Sequence, residues 1–133
     1  MNYKIFLVSI LACIIIATGG YVLAGSALDT QTYEKVKKGE KIFNSKCKVC
    51  HSLEANRMGP SLKGIIMRKF AIVKRFRYSD ALRNRQGLRW TEDNLDAFLT
   101  NPKSFIPKNR MPFRGLKKKE DRENLITYLK HSS

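Results

Sequence analysis

At 133 residues the chain has room for one domain and one core, and its three cysteines cannot make an even disulfide framework. Its 26 Lys and Arg against 11 Asp and Glu leave a formal charge of +15, which bears on partners more than on fold. Composition therefore excludes a multidomain chain and a disulfide-stapled scaffold, while nucleic acid, anionic lipid and an acidic protein face all stay open as partners.

After Met1-Asn2-Tyr3-Lys4 no charged residue occurs before Asp29, and Ile5 to Ile16 is an almost unbroken apolar run. The charged start, the apolar run, Gly19-Gly20 and the small residues at Val22-Leu23-Ala24 or Gly25-Ser26-Ala27 match a secretory signal with its cleavage site. Ile5 to Leu28 is also long enough to be an uncleaved anchor, at about 20 residues per bilayer crossing. The short distance from Ala27 to the first expected helix leaves little tether and favours cleavage. A lipoprotein signal ending at Cys13 would leave Ile14-Ile15-Ile16 as an oddly apolar start. Residues 1–27 are thus expected to be a signal or an anchor and residues 28–133 a single domain on the outer side of a membrane. Without Lys4 that domain carries 25 basic and 11 acidic residues, a charge of +14.

The remainder shows no repeat and no strand-like alternation, and its signals are helical. Thr32 to Lys46 places Tyr33, Val36, Gly39, Ile42 and Phe43 near one face. After Trp90, Thr91 can cap a helix whose first turn holds Glu92 and Asp93 and whose stripe is Leu95, Phe98 and Leu99; Asn101-Pro102 ends it. A third helix runs from about Lys118 to Lys130 with Leu125, Ile126, Tyr128 and Leu129 apolar. Between them lie loops punctuated by Gly59-Pro60, Gly64, Gly87, Pro107 and Pro112. The expected fold class is all-α, with three main helices, short ones, and long connections that something must hold.

Cys47-Lys48-Val49-Cys50-His51 has the spacing of covalent c-type haem attachment. Two thiols three positions apart at a helix end can reach the two vinyl groups of one haem edge, while the adjacent imidazole takes an axial position on the iron. A structural zinc site would want four ligands, and the one other histidine, His131, sits beside the C-terminal end. A thioredoxin-like pair would want a βαβ setting that the chain lacks. For a second axial ligand there are Met58, Met67 and Met111 beyond the initiator. Met111 stands 60 residues after His51 between Pro107 and Pro112, in a loop stiff enough to present a thioether. Such Met/His ligation raises the potential relative to His/His. Met58 and Met67 read as core gap-fillers.

With these residues in place, the chain from about Val36 to Lys130 resembles a class I cytochrome c of the mitochondrial and α-proteobacterial kind. Lys38-Gly39-Glu40-Lys41-Ile42-Phe43, the cysteine motif, Gly59-Pro60-Ser61-Leu62, Trp90, Asn101-Pro102-Lys103, Ile106-Pro107, Met111 and Leu125 to Lys130 fall in the family's order. The resemblance implies one covalent haem c enclosed by the helices and loops. It also implies that Gly39 and Phe43 meet Leu125 and Tyr128 where the first and last helices cross. Pro60 is expected to offer its carbonyl to His51, and Arg68, Tyr78 and Trp90 to bond the haem propionates. Three departures stand out. Phe98 replaces a tyrosine whose hydroxyl usually bonds the methionine sulfur, Met67 stands where glycine is common, and Leu82 or Asn84 takes the place of a buried asparagine.

The function so implied is one-electron transport in a respiratory chain, between a cytochrome bc complex and a terminal oxidase, by a monomeric carrier that is not an enzyme. Its compartment would be the periplasmic side of the cytoplasmic membrane. Lys41, Lys46, Lys48, Lys103, Lys108, Arg110 and Lys117 to Lys119 would form the ring that meets acidic partner faces. Lys74, Arg75, Arg77, Arg83, Arg85 and Arg89 could serve anionic lipid headgroups. The rival readings are a haem peroxidase or ligand sensor with a labile Met111, and a nucleic-acid module, which export of the chain disfavours.

Overall fold

The computed structural model describes residues 29–132, so the expected signal or anchor lies outside the described residues. The chain divides into two units, Met1–Glu34 and Lys35–Ser133. Of the first, residues 29–34 are helical. In the second, helix α1 (35–42) passes into a π-helical turn, Phe43–Cys47, closed by Lys48 N–H donating to Phe43 O at 2.9 Å. Four helices follow: α2 (Asp80–Arg83), α3 (Glu92–Thr100), α4 (Pro102–Phe105) and α5 (Lys119–His131). No strand occurs among the described residues, as the all-α reading expects.

The local chemistry accounts for the helix ends. Thr91 accepts from Asn94 N–H at 3.1 Å and caps α3, with Glu92 and Asp93 at its positive end. Asn101 does more than end α3. Its side chain accepts from Ser104 N–H at 3.2 Å and restarts the chain as α4, with Pro102 in the first helical position, where its missing N–H costs nothing. Helix α2 carries no apolar stripe and was not anticipated from the sequence.

Leu95, Phe98 and Leu99 of α3 and Leu125, Ile126 and Leu129 of α5 are buried in one cluster with Phe43, Phe70, Trp90 and Ile106. Where α1 meets α5, a Cβ on Gly39 would lie 2.0 Å from Asn124 O and 2.6 Å from Tyr128 Cβ, so only glycine allows this approach. Phe43 packs on Tyr128 with ring centroids 5.4 Å apart. The contact therefore has the expected partners, with Asn124 added by its backbone.

The segments before α2 and before α3 run antiparallel for a short way. Met67 N–H donates to Trp90 O and Trp90 N–H to Arg68 O, each at 2.9 Å, and Trp90 stacks on Phe70 at 3.9 Å. To enter this pairing Met67 takes φ 61°, the left-handed region that glycine occupies freely, which explains why a glycine suits the position. Met67 and Met58 are 53% and 72% exposed, so neither fills a gap in the core, and that expectation is corrected: Met67 is set by a backbone demand, and Met58 lies on the surface beside the cavity described below.

Left-handed strain of about 1–2 kcal/mol for a non-glycine residue exceeds the ~0.5–1 kcal/mol entropic cost of glycine. Met67→Gly should therefore stabilise the protein by about 0.5–1 kcal/mol, read as a higher denaturant midpoint at unchanged slope; a lower midpoint would show that the Met67 side chain contributes more than its backbone costs.

Candidate cofactor site

The turn that carries the cysteines is built by backbone. Cys50 and His51 N–H both donate to Cys47 O, at 3.0 and 2.9 Å, directly after the π turn, and irregular helical turns of this sort recur at functional sites. The result sets Cys47, Cys50 and His51 on the wall of a cavity of about 690 Å³, a volume suited to a cofactor. Leu62, Ile65, Leu95, Phe98, Leu99, Leu125 and Leu129 line it with apolar surface, and Met111 reaches it from the loop after α4. All eight expected site residues, Cys47, Cys50, His51, Pro60, Arg68, Tyr78, Trp90 and Met111, border this one cavity.

His51 is oriented from behind. Its Nδ1 lies 2.8 Å from Pro60 O, and because a carbonyl only accepts, Nδ1 carries the proton and Nε2 keeps a free lone pair. Burial lowers the imidazole pKa, with the Pro60 carbonyl opposing, so the ring is neutral at neutral pH, as a metal ligand must be. Gly59 is a condition of this arrangement: a Cβ there would stand 2.2 Å from His51 Cε1 and 2.5 Å from Nδ1. Burial first, and then the neighbouring Cys50, push the Cys47 thiol up to about 11, so it stays protonated at neutral pH.

On the methionine side, Asn109 organises the loop. Its Nδ2 donates to Pro102 O at 2.8 Å and Ile106 O at 2.7 Å, and its Oδ1 accepts from Met111 N–H at 2.9 Å. Lys108 before it takes φ 64°. Asn109 was missed in the sequence reading, although an asparagine two positions before the candidate ligand, in a loop between prolines, is itself a turn signal.

At the rim Arg68 donates from Nη1 to Lys63 O at 3.0 Å and from Nη2 to Ser61 O at 2.8 Å, which leaves three of its five N–H groups for an anion. Burial raises the pKa of Tyr78, so it remains a phenol able to donate. Trp90 is buried against Phe70, and Phe98 meets it edge-on at 5.0 Å. Phe98, where the resemblance expects a tyrosine, brings no hydroxyl to the cavity it lines. Leu82, not Asn84, lines the cavity, replacing a polar group by an apolar one.

These residues fit a haem. The cavity lining brings together apolar walls, the Cys47 and Cys50 thiols, the His51 imidazole, the Met111 thioether and the Arg68, Tyr78 and Trp90 donors, with no carboxylate among them. Zinc finds no comparable support, since no group of three or more His, Cys, Asp or Glu is arranged for a metal ion among the described residues. His131 donates from the last turn of α5 to Thr127 O at 2.9 Å, well placed as a helix-end residue.

Comparison with known proteins agrees with this geometry. The family described as Cytochrome c matches residues 36–133. A cytochrome c from Gibberella zeae is 43% identical over 74% of this chain and 94% of its own length, and one from Arabidopsis thaliana is 42% identical over 73% and 88%. A protein of Rhodobacter capsulatus named cytochrome c-type cyt cy is 45% identical over 70% of this chain and 47% of its own length.

Because the His51 ring is held at Nδ1 by Pro60 O and its backbone N–H is held by Cys47 O, it cannot yield to a methyl group at Gly59. Gly59→Ala should yield polypeptide with little or no attached haem when expressed with a maturation system, scored by haem stain on the denatured chain; wild-type haem content would show that the ring shifts freely.

Proposed function

Since the chain belongs to the cytochrome c family, whose members carry electrons on one covalent c-type haem, we propose that it shuttles single electrons in a respiratory chain between a cytochrome bc complex and a terminal oxidase. The observation that supports this reading is the meeting of Cys47, Cys50, His51 and Met111 around one apolar cavity. A bound haem iron would supply the ferric/ferrous couple. Cys47 and Cys50 would hold the cofactor through thioethers, His51 keeps Nε2 free for it because Nδ1 is committed to Pro60 O, and Met111 would offer a soft sulfur from a loop held by Asn109. Arg68, Tyr78 and Trp90 would supply N–H and O–H donors to its propionates. With His51 and Met111 both holding the iron, no open position would be left for a substrate, so the reading is of a carrier and not of an enzyme.

Lys41, Lys46, Lys48, Lys103, Lys108, Arg110 and Lys117 to Lys119 are all exposed, and they form the proposed ring for acidic redox partners met by a monomer. The segment 67–89 holds eight basic residues and one acidic, and it exposes Met67, Ile72 and Leu88. That mixture of cationic and apolar groups supports an additional contact with an anionic membrane surface. Among the described residues no helix is long and apolar enough to cross a membrane, so attachment beyond this surface rests with residues 5–28. A periplasmic location, with the domain released or anchored by that segment, follows from the apolar N-terminal run.

The test is an optical spectrum of the purified protein, oxidised and then reduced, with the denatured chain checked for retained haem. Low-spin c-type bands and a weak far-red sulfur-to-iron band in the ferric protein, lost in Met111→Ala, are expected. Covalent haem without the far-red band would favour a peroxidase or ligand sensor, and an absence of haem after expression in a maturation-competent host would refute the reading. Reduction of an acidic partner should also slow as salt rises from about 10 to 150 mM, because the Debye length falls from roughly 30 to 8 Å; a salt-independent rate would exclude the basic ring from docking.

A further inference from the structure

Arg122 is the single charged residue among the buried described residues, at 8% exposure. Its Nε donates to Asp96 Oδ1 at 2.7 Å and its Nη2 to Asp96 Oδ2 at 3.3 Å, a bidentate pairing between α5 and α3. Its remaining arm, Nη1, donates to Leu116 O at 3.0 Å and Lys117 O at 3.1 Å. The same stretch is fastened a second time where Leu116 N–H donates to Leu99 O at 2.7 Å. Gly115, at φ 91°, lies so close to the end of α3 that a Cβ would stand 2.2 Å from Thr100 O.

Leu116 and Lys117 form the far limb of the loop that carries Met111. Asn109 pins the near limb, so the methionine stands between two anchors. Beside the Leu116–Leu99 bond, the far anchor rests on a guanidinium that Asp96 alone pairs with among the described residues.

We propose that Asp96 is a positioning residue for Met111: its pairing with Arg122 aims the guanidinium at the Leu116 and Lys117 carbonyls and holds the methionine loop closed over the cavity. This rests on Met111 being the second axial ligand. Without the carboxylate, Arg122 is a buried cation with no counter-charge, and it relaxes toward water. The two carbonyls then lose their donor, and the loop opens more often while the helices stay packed.

An added ligand can reach the iron only when Met111 is off, so its apparent affinity rises with the open fraction of the loop. The experiment is an imidazole titration of the ferric holoprotein, following loss of the far-red band, in the unaltered protein and in Asp96→Ala, Asp96→Asn, Asp96→Glu and Phe43→Leu. Phe43 packs on Tyr128, neither side chain lines the cavity, and the variant serves as a control for global destabilisation. Asp96→Ala should bind imidazole roughly tenfold more tightly. Asp96→Asn should fall between and serves in its place if the alanine variant yields no holoprotein, Asp96→Glu should return toward the unaltered affinity, and Phe43→Leu should melt earlier with no change in affinity. An affinity in Asp96→Ala within about twofold of the unaltered protein, or an equal gain in Phe43→Leu, overturns the proposal as a merely structural effect. A ferric protein with no far-red band overturns the methionine assignment itself, and the proposal falls with it.

Discussion

The constraint on which the rest of the structure depends is the cavity. An apolar space of about 690 Å³ left unfilled forfeits the packing contacts of every side chain that lines it. In a chain with one small core that loss is large, so the domain is built to close on a group that fills the space. This is why connections that would be idle in a helical bundle are walls here. Leu62 and Ile65 come from the stretch after the cysteine motif, Leu82 from the short α2, and Met111 from the stretch after α4.

Once the cavity exists, the chemistry around it follows from burial. A buried imidazole favours its neutral form, and one carbonyl behind it decides which nitrogen keeps the lone pair. Burial, with Cys50 beside it, keeps the Cys47 thiol protonated. Charge is handled in the opposite way at the rim: guanidinium groups gather where an anion would lie, and the carboxylates stay away. One polypeptide therefore holds a neutral metal-binding interior and a strongly cationic exterior, the combination that a fast, salt-sensitive electron carrier requires.

Backbone strain marks the places where the loops were bent to make these walls. Met67, Ala71, Arg75 and Lys108 all take left-handed conformations without being glycine, and all lie in the connections and none in the helices. Lys108 immediately precedes Asn109, so the turn that presents Met111 is bent at the lysine and tied by the asparagine. Strain held by hydrogen bonds in this manner is paid for elsewhere in the fold, here in the packing of α3 against α5 and of α5 against Gly39.

Reading the residues alone located the cysteine motif and the three main helices, because their signals are local. The cysteine spacing, the Thr91 cap, the stripe Leu95-Phe98-Leu99 and the last helix are encoded within a few residues of themselves, and the structure reproduces each. Pro60 behind His51 and the rim donors were legible only through resemblance to a family, since nothing in a proline or a tryptophan announces which distant group it will meet. The tertiary structure alone decided what depends on distant segments meeting. It turned Met58 and Met67 outward, made Asn109 the organiser of the methionine loop, and set Asp96 against Arg122 across 26 positions of sequence. Helical periodicity records which face of a segment is buried; it does not record which distant polar group will be waiting there, and in this protein those pairings hold the loop that carries Met111.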